Sequence, residues 1–296
     1  MKIMYRDFLR HAFFLLLILQ VSLYGCRKII PEAETDVLFL GHKGAGSNNF
    51  NDVNMENTLN AVKEGVTNLD GVEIDLQMSK DGTIWVNHNF SVNDFNCITN
   101  LPEAYIPILT DAEIEQIAVC HKGKRDRLYK LSEIIDYWNT TLDGFYISLE
   151  VKIFYDPIFN QLGGVDAYLT RMAQSMVATL ANANHTNKLL IEVNSKAFID
   201  IINANEKTKD IKCLLIRSGT LERRIQIAQQ DGYDGLSLNY DDEELTKETV
   251  RAAKNLGLFI NLYTPYYKSE IVRAFEMEPH SIQTDNMDAK RYLNVK

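Results

Sequence analysis

Short apolar runs recur along the chain, each ending in a polar or glycine-bearing turn, and stretches with helical spacing separate them. Eight runs read as strands: VLFLGH (37–42), GVEIDL (71–76), FYISLEV (145–151), KLLIEV (188–193), KCLLIR (212–217), GLSLN (235–239), LFINLYT (258–264) and SIQTD (281–285). Between them, apolar positions recur at three- and four-residue intervals near 56–64, 131–138, 167–180, 197–204, 221–230, 243–256 and 269–275, the mark of amphipathic helices. Gly65 sits near the end of the first of these. Strands alternating with helices predict a parallel sheet, and eight of them predict a (β/α)8 TIM barrel, an α/β fold.

One apolar run does not fit that alternation. TIWVNH (83–88) follows GVEIDL after a short polar turn containing Lys80-Asp81-Gly82. A parallel crossover needs a dozen or more residues, so the two runs must form an antiparallel hairpin after strand 2. With the turn centred on Lys80 and Asp81, His88 falls opposite Glu73. The next segment, about 90–131, is long for a loop between barrel strands and reads as a small inserted cap. It contains an acidic amphipathic helix over 111–119 and a basic loop, HKGKRDR, read as solvated.

The first 25 residues stand apart. Lys2, Arg6 and Arg10 precede an apolar run from Ala12 to Val21, and Leu23-Tyr24-Gly25-Cys26 follows. This is the layout of a signal peptide, with an uncleaved membrane anchor as the alternative. Its ending resembles a bacterial lipobox, which makes Cys26 the lipidated residue, 26–36 a linker, and 37–296 the catalytic domain. The expectation is an extracytoplasmic lipoprotein, periplasmic or at the cell surface, anchored to the membrane by its N-terminal lipid. Removal of 1–25 takes away three basic residues and Asp7, so the net charge moves from −9 to −11. A chain this acidic is not built to bind nucleic acid. Beside Cys26 remain Cys97, Cys120 and Cys213, an odd set that gives no disulfide framework, although a Cys97–Cys120 bridge is conceivable in an oxidising compartment.

Candidate chemistry gathers on the predicted strands. Side chains alternate faces along a strand, so Glu73 and Asp75 share one face, and Glu150 and Lys152 share another. Two carboxylates this close either hold a proton between them or share a cation. Glu73, Asp75 and Glu150 together offer an all-oxygen set suited to one hard divalent cation, Ca²⁺ or Mg²⁺. His42 and His88 close their apolar runs, and imidazole titrates in the range that acid and base catalysis both need. His121, His185 and His280 lack such company.

HKG, ENT, EID, KDG, VNH and LEVK occur in that order, and LYTPY and QTD follow them. In this the chain resembles the glycerophosphodiester phosphodiesterase family, with its successive HRG, PENT, E-x-D, KDG, HD, E-x-K, WTVN and ITD segments, over roughly 37–286. The resemblance implies a metal-dependent phosphoric diester hydrolase of the phosphoinositide-phospholipase-like TIM barrels. It would cleave glycerophosphodiesters to glycerol 3-phosphate and an alcohol. His42 and His88 would be the general acid/base pair, Lys43 and Lys152 would face the phosphate, Tyr263 would wall the glycerol, and Glu56 and Asn57 would support the site. Lys43, Met55, Asn89 and Tyr263 stand where the family has Arg, Pro, Asp and Trp. Lysine cannot make arginine's bidentate phosphate contact, so these departures bear on rate and preference rather than reaction type. The competing readings are a phospholipase D-like or phosphoinositide-cleaving barrel acting on intact lipid, and a weakly catalytic lipoprotein that captures phosphodiester headgroups.

Overall fold

The computed structural model describes residues 36–92, 96–98, 105–141 and 144–294; the leader, Cys26 and the linker lie outside the described residues. In chain order the strands and helices are β1 (Leu38–Gly41), α1 (Leu59–Asn68), β2 (Gly71–Met78), β3 (Ile84–Val86), β4 (Asn96–Ile98), α2 (Asp111–Ile114), β5 (Ala118–His121), β6 (Lys124–Arg127), β7 (Tyr129–Lys130), α3 (Leu131–Asn139) and β8 (Tyr146–Val151). There follow α4 (Val165–Leu180), β9 (Leu189–Val193), α5 (Lys196–Asn203), β10 (Lys212–Ile216), α6 (Leu221–Asp231), β11 (Gly235–Asn239), α7 (Lys247–Asn255), β12 (Phe259–Tyr263), α8 (Lys268–Glu276) and β13 (Ser281–Thr284).

Eight strands, in the order β1-β13-β12-β11-β10-β9-β8-β2, pair in parallel, and β1 pairs with β2 to close the ring. The expected TIM barrel is therefore the fold. Its outer surface packs Val72, Ile74, Ile147, Leu149, Ile191 and their equivalents against the helices as one continuous core. The interior is layered by the two-residue alternation of each strand. Leu40, Leu190 and Leu214 meet at the N-terminal end, with Tyr146 and Phe259 packed on them. Above them lies a buried polar layer in which Asn261 Nδ2 donates to Ser237 Oγ (2.9 Å), and Ser281 Oγ donates to Asn261 Oδ1 (2.7 Å). Ser148 Oγ donates to Glu192 Oε1 at 2.5 Å, and Gln283 Nε2 donates to the same oxygen. His42, Asp75, Glu150, Tyr263 and Asp285 are the next residues along the same strand faces, at the C-terminal mouth.

The hairpin is present, with β3 antiparallel to β2, but its register differs from the expected one. Leu76 pairs with Val86 and Gln77 with Trp85, so Asn87 rather than Val86 stands opposite Asp75, and Asn87 N donates to the Asp75 carbonyl (2.9 Å). The turn is one residue longer: Ser79 N donates to Thr83 O across it and Gly82 N to Ser79 O. A one-residue slip reassigns every cross-strand partner, and it moves His88 from Glu73 toward Asp75.

The insert also differs from expectation. The predicted helix over 111–119 is only α2, and the chain then enters a three-stranded antiparallel sheet, β4-β5-β6. HKGKRDR is the β5–β6 hairpin, turned at Lys122 and Gly123, which both take positive φ. Lys122 stays exposed, but Lys124 is partly buried. Lys124 Nζ donates to the carbonyls of Asn51 (2.6 Å) and Asn54 (3.2 Å), clamping the loop between β1 and α1. Cys120 is disulfide-bonded, and its strand pairs with β4, which carries Cys97; the Cys97 side chain lies outside the described residues. Cys213 is free and buried.

Candidate active site

The turn after β1 places the first group of side chains. Lys43 takes φ 54° and Gly44 φ 92°, and the Gly44 carbonyl presses so close to α1 that a Cβ on Gly65 would lie 2.0 Å from it. Gly65 is therefore a close-approach position within α1. The turn aims Lys43 N at Glu73 Oε2 (2.8 Å), while Lys43 Nζ reaches Glu56 Oε1 (3.2 Å). Asn57, also at positive φ, binds Asp75 reciprocally: its Nδ2 donates to Asp75 Oδ2 (2.7 Å), and its Oδ1 accepts from Asp75 N (3.0 Å). Ahead of α1, Asn57 thus braces Asp75 directly, while Glu56 holds the side chain of Lys43, whose backbone N–H braces Glu73.

Glu73, Asp75 and Glu150 each present an oxygen within 4.8 Å of the others. β2 and β8 pair in parallel with Asp75 beside Glu150, so the cluster follows directly from strand register. Lys152 Nζ lies 2.6 Å from Glu150 Oε1 and 2.9 Å from Asp75 Oδ1. Three carboxylates and one ammonium leave a formal surplus of two negative charges, which a divalent cation matches. Glu73 Oε1 is buried with no hydrogen-bond donor, a second sign that the donor set fits a hard ion.

The titration behaviour follows from this crowding. Burial, then repulsion from Asp75, Glu150 and Glu192, pushes Glu73 well above the usual carboxylate range. Burial acts the same way on Asp75, but Lys152, and after it His88, Lys43 and His42, override it and hold that carboxyl low. Glu150 is raised by burial against the opposing pull of Lys152. Lys152 loses to burial but gains more from Asp75 and Glu150, and stays charged.

Both imidazoles flank the cluster, each oriented through Nδ1. His42 Nδ1 bonds Asp285 Oδ1 (2.7 Å), leaving Nε2 turned inward, 4.0 Å from Glu73 Oε2. Asp285 Oδ1 also accepts from Ser47 N (2.7 Å). Burial would raise Asp285, but its bond to His42 prevails and holds it low. His88 Nδ1 bonds Asn89 Oδ1 (2.8 Å), and burial, opposed by Asp75, lowers the His88 pKa. Tyr263 closes the opposite side; its phenol is pushed up to about 12 by burial and then by Glu150 and Glu192.

Every site residue expected on the barrel therefore lies at its C-terminal mouth. Two others were not singled out from the sequence. Asp285, the orienting partner of His42, ends the last strand in QTD, and an acid at a barrel strand's C-terminal end was the available signal. Glu192, buried and in register with Glu150, raises Glu73 and Glu150; its signal was a lone acid inside the apolar run KLLIEV.

A closed barrel carrying clustered carboxylates, two oriented imidazoles and two lysines at its C-terminal mouth defines a class, the TIM-barrel enzymes that act on anionic esters. Comparison with known proteins names the family. Residues 42–289 match the model of the glycerophosphoryl diester phosphodiesterase family, and the chain belongs to that family. Among solved structures it is similar to an Oleispira antarctica phosphodiesterase in complex with the product sn-glycerol-3-phosphate (TM-score 0.69, 15% identity, covering 87% of this chain and 96% of that one). It is also similar to glycerophosphodiester phosphodiesterases of Parabacteroides distasonis ATCC 8503 (0.68, 13%, 88% and 98%) and Thermotoga maritima (0.61, 19%, 89% and 100%). Among curated proteins none matches.

Proposed function

We propose that the chain hydrolyses glycerophosphodiesters to glycerol 3-phosphate and an alcohol, with one divalent cation, Ca²⁺ or Mg²⁺, held by Glu73, Asp75 and Glu150. The observation that carries this reading is the carboxylate cluster itself, flanked by two imidazoles that are each held at Nδ1, with His42 Nε2 4.0 Å from Glu73 Oε2. When bound, such an ion would neutralise phosphoryl oxygen charge. His42 and His88 would move the protons, one taking the proton of the attacking hydroxyl and the other supplying the leaving alkoxide. Lys43 and Lys152 would add positive charge around the phosphate, Lys152 from its seat between Asp75 and Glu150. Asp285 would keep His42 in the tautomer that frees Nε2 and stabilise its protonated form. Tyr263 would pack against the glycerol. The experiment is glycerol 3-phosphate release from a glycerophosphodiester, with cation against chelator, in the native chain and in His42→Ala and His88→Ala.

The leader is read, in the same proposal, as a lipid anchor at Cys26. β1 begins at the barrel end opposite the site, and the 26–36 linker reaches roughly 35 Å when extended. An anchored enzyme would thus hold its mouth away from the bilayer, which favours free glycerophosphodiesters over intact membrane lipid. Cys26→Ser should move the protein from the membrane to the soluble fraction; retention in the membrane would refute the anchor.

A further inference from the structure

His42 and His88 are held in unlike ways. His42 is tied at Nδ1 to Asp285, just past a barrel strand, whereas His88 is tied at Nδ1 to Asn89, its own chain neighbour. The second bond sets the ring against its loop, not the loop against the barrel. The hold on the loop lies where the β2–β3 ladder stops. Asn87 N donates to the Asp75 carbonyl (2.9 Å), and in a regular antiparallel pair Asp75 N would return a bond to Asn87 O. Asp75 N is instead spent on Asn57 Oδ1 (3.0 Å), which leaves that rung open.

Gln77 fills it. This residue lies on β2 two positions beyond Asp75, on the face that carries Glu73 and Asp75, and it is fully buried. Its Nε2 donates to Asn87 O (3.0 Å) and to Asn89 O (2.8 Å), one amide proton for each of the carbonyls on either side of His88. Asn87 Nδ2 adds a second bond to Asn89 O (2.6 Å). Both partners of Gln77 are acceptors, so its nitrogen must face the loop, and Oε1 is left buried without a donor. An unpaired buried acceptor is unfavourable, and the two bonds to the loop offset it.

We infer that Gln77 is the positioning residue of His88: by pinning the backbone on both sides of it to β2, Gln77 sets where the imidazole stands relative to the carboxylates of that strand. The inference rests on the proposed phosphodiesterase reading and adds to it a residue that acts through His88 rather than on the substrate.

The test is Gln77→Met, which keeps the length of the side chain and removes both donors, in the full chain with saturating Ca²⁺ or Mg²⁺. Displacing a catalytic group by about 1 Å can cost about a hundredfold, so kcat for glycerol 3-phosphate release should fall about 10- to 100-fold, with KM changed less than about threefold. In the His88→Ala background the same substitution should cost less than about twofold, because the group it positions is gone. Equal losses in the two backgrounds would make Gln77 a general support of the barrel and overturn the inference, as would an unchanged kcat. Should the methionine variant fail to fold, Gln77→Glu keeps the shape of the side chain, replaces the donating NH2 by an oxygen, and should show the same non-additivity. A readout without turnover separates the inference from the reading it rests on: in Gln77→Met the His88 imidazole resonances in NMR spectra should shift or broaden while those of His42 stay. Unmoved His88 resonances overturn the positioning role even in an active enzyme. Absence of glycerol 3-phosphate release by the native chain overturns the phosphodiesterase reading, and the hold on His88 then stands or falls on the resonances.

Discussion

At the scale of single residues the site is asymmetric. His42 is backed by a carboxylate and His88 by an amide, although both bonds are under 3 Å. Only a carboxylate stabilises an imidazolium strongly, so Asp285→Asn should lower kcat by about a hundredfold or more and move KM little. A loss in KM alone would show that Asp285 serves only the loop at Ser47. Asn89→Asp would give His88 a carboxylate too, lifting its pKa and carrying the limb of the pH–rate profile that belongs to His88 to higher pH. An unmoved profile would mean that the Nδ1 contact does not tune that ring. Of the eight charged or imidazole groups chosen from sequence, seven were legible because each stands in a short motif on a strand or at a strand's end, and Glu56 because its motif immediately precedes α1. Asp285 and Glu192 were not, because their partners are distant in the chain: Asp285 meets a residue 243 positions away, and only barrel closure brings the two together.

At the scale of elements, the hairpin and the insert carry information that periodicity does not. β2 and β3 were legible as a hairpin from the short turn, yet the register was off by one because turn geometry, not the centre of the polar run, sets pairing. Asp111 holds that turn. It accepts from Ser79 Oγ (2.7 Å), Thr83 Oγ1 (2.5 Å) and Trp85 Nε1 (2.9 Å), while its own N–H donates to Asp81 (2.8 Å). Asp111→Ala leaves those three donors without their acceptor, one of them on the buried Trp85, and should cost about 2–3 kcal/mol by denaturant titration. A shift under about 0.5 kcal/mol would show that water replaces Asp111 freely. The β5–β6 hairpin could not be distinguished from a solvated loop by composition, since Lys124 spends its charge on backbone carbonyls of the loop after β1. No sequence pattern records such a contact.

At the scale of the whole molecule, alternating apolar runs made the barrel legible, and the polar layer inside it explains why those runs are interrupted by Glu, Asn and Gln. Stability also has a pH signature. His280 stacks on Phe259 and accepts the Ile260 N–H through Nδ1 (2.9 Å), so the folded state requires it neutral. Burial, and then Lys254 and Lys212, pushes its pKa down to about 4 from an ordinary 6.5. With the folded pKa below the unfolded one, this contribution is complete above about pH 6.5 and is lost as pH falls toward 4. After allowance for its partly exposed ring the effect is about 1–2 kcal/mol. His280→Asn should flatten that part of the stability profile, and an unchanged slope would assign the acid loss elsewhere. The central claim is that Glu73, Asp75 and Glu150 assemble a cation site that the two histidines use to cut a phosphodiester. Its most direct test is the rate of glycerol 3-phosphate release from glycerophosphoglycerol, with Ca²⁺ or Mg²⁺ and with chelator. The account predicts release that requires the cation and falls about 10²–10⁴-fold in His42→Ala and in His88→Ala; release that persists in chelator, or survives loss of both imidazoles, would contradict it.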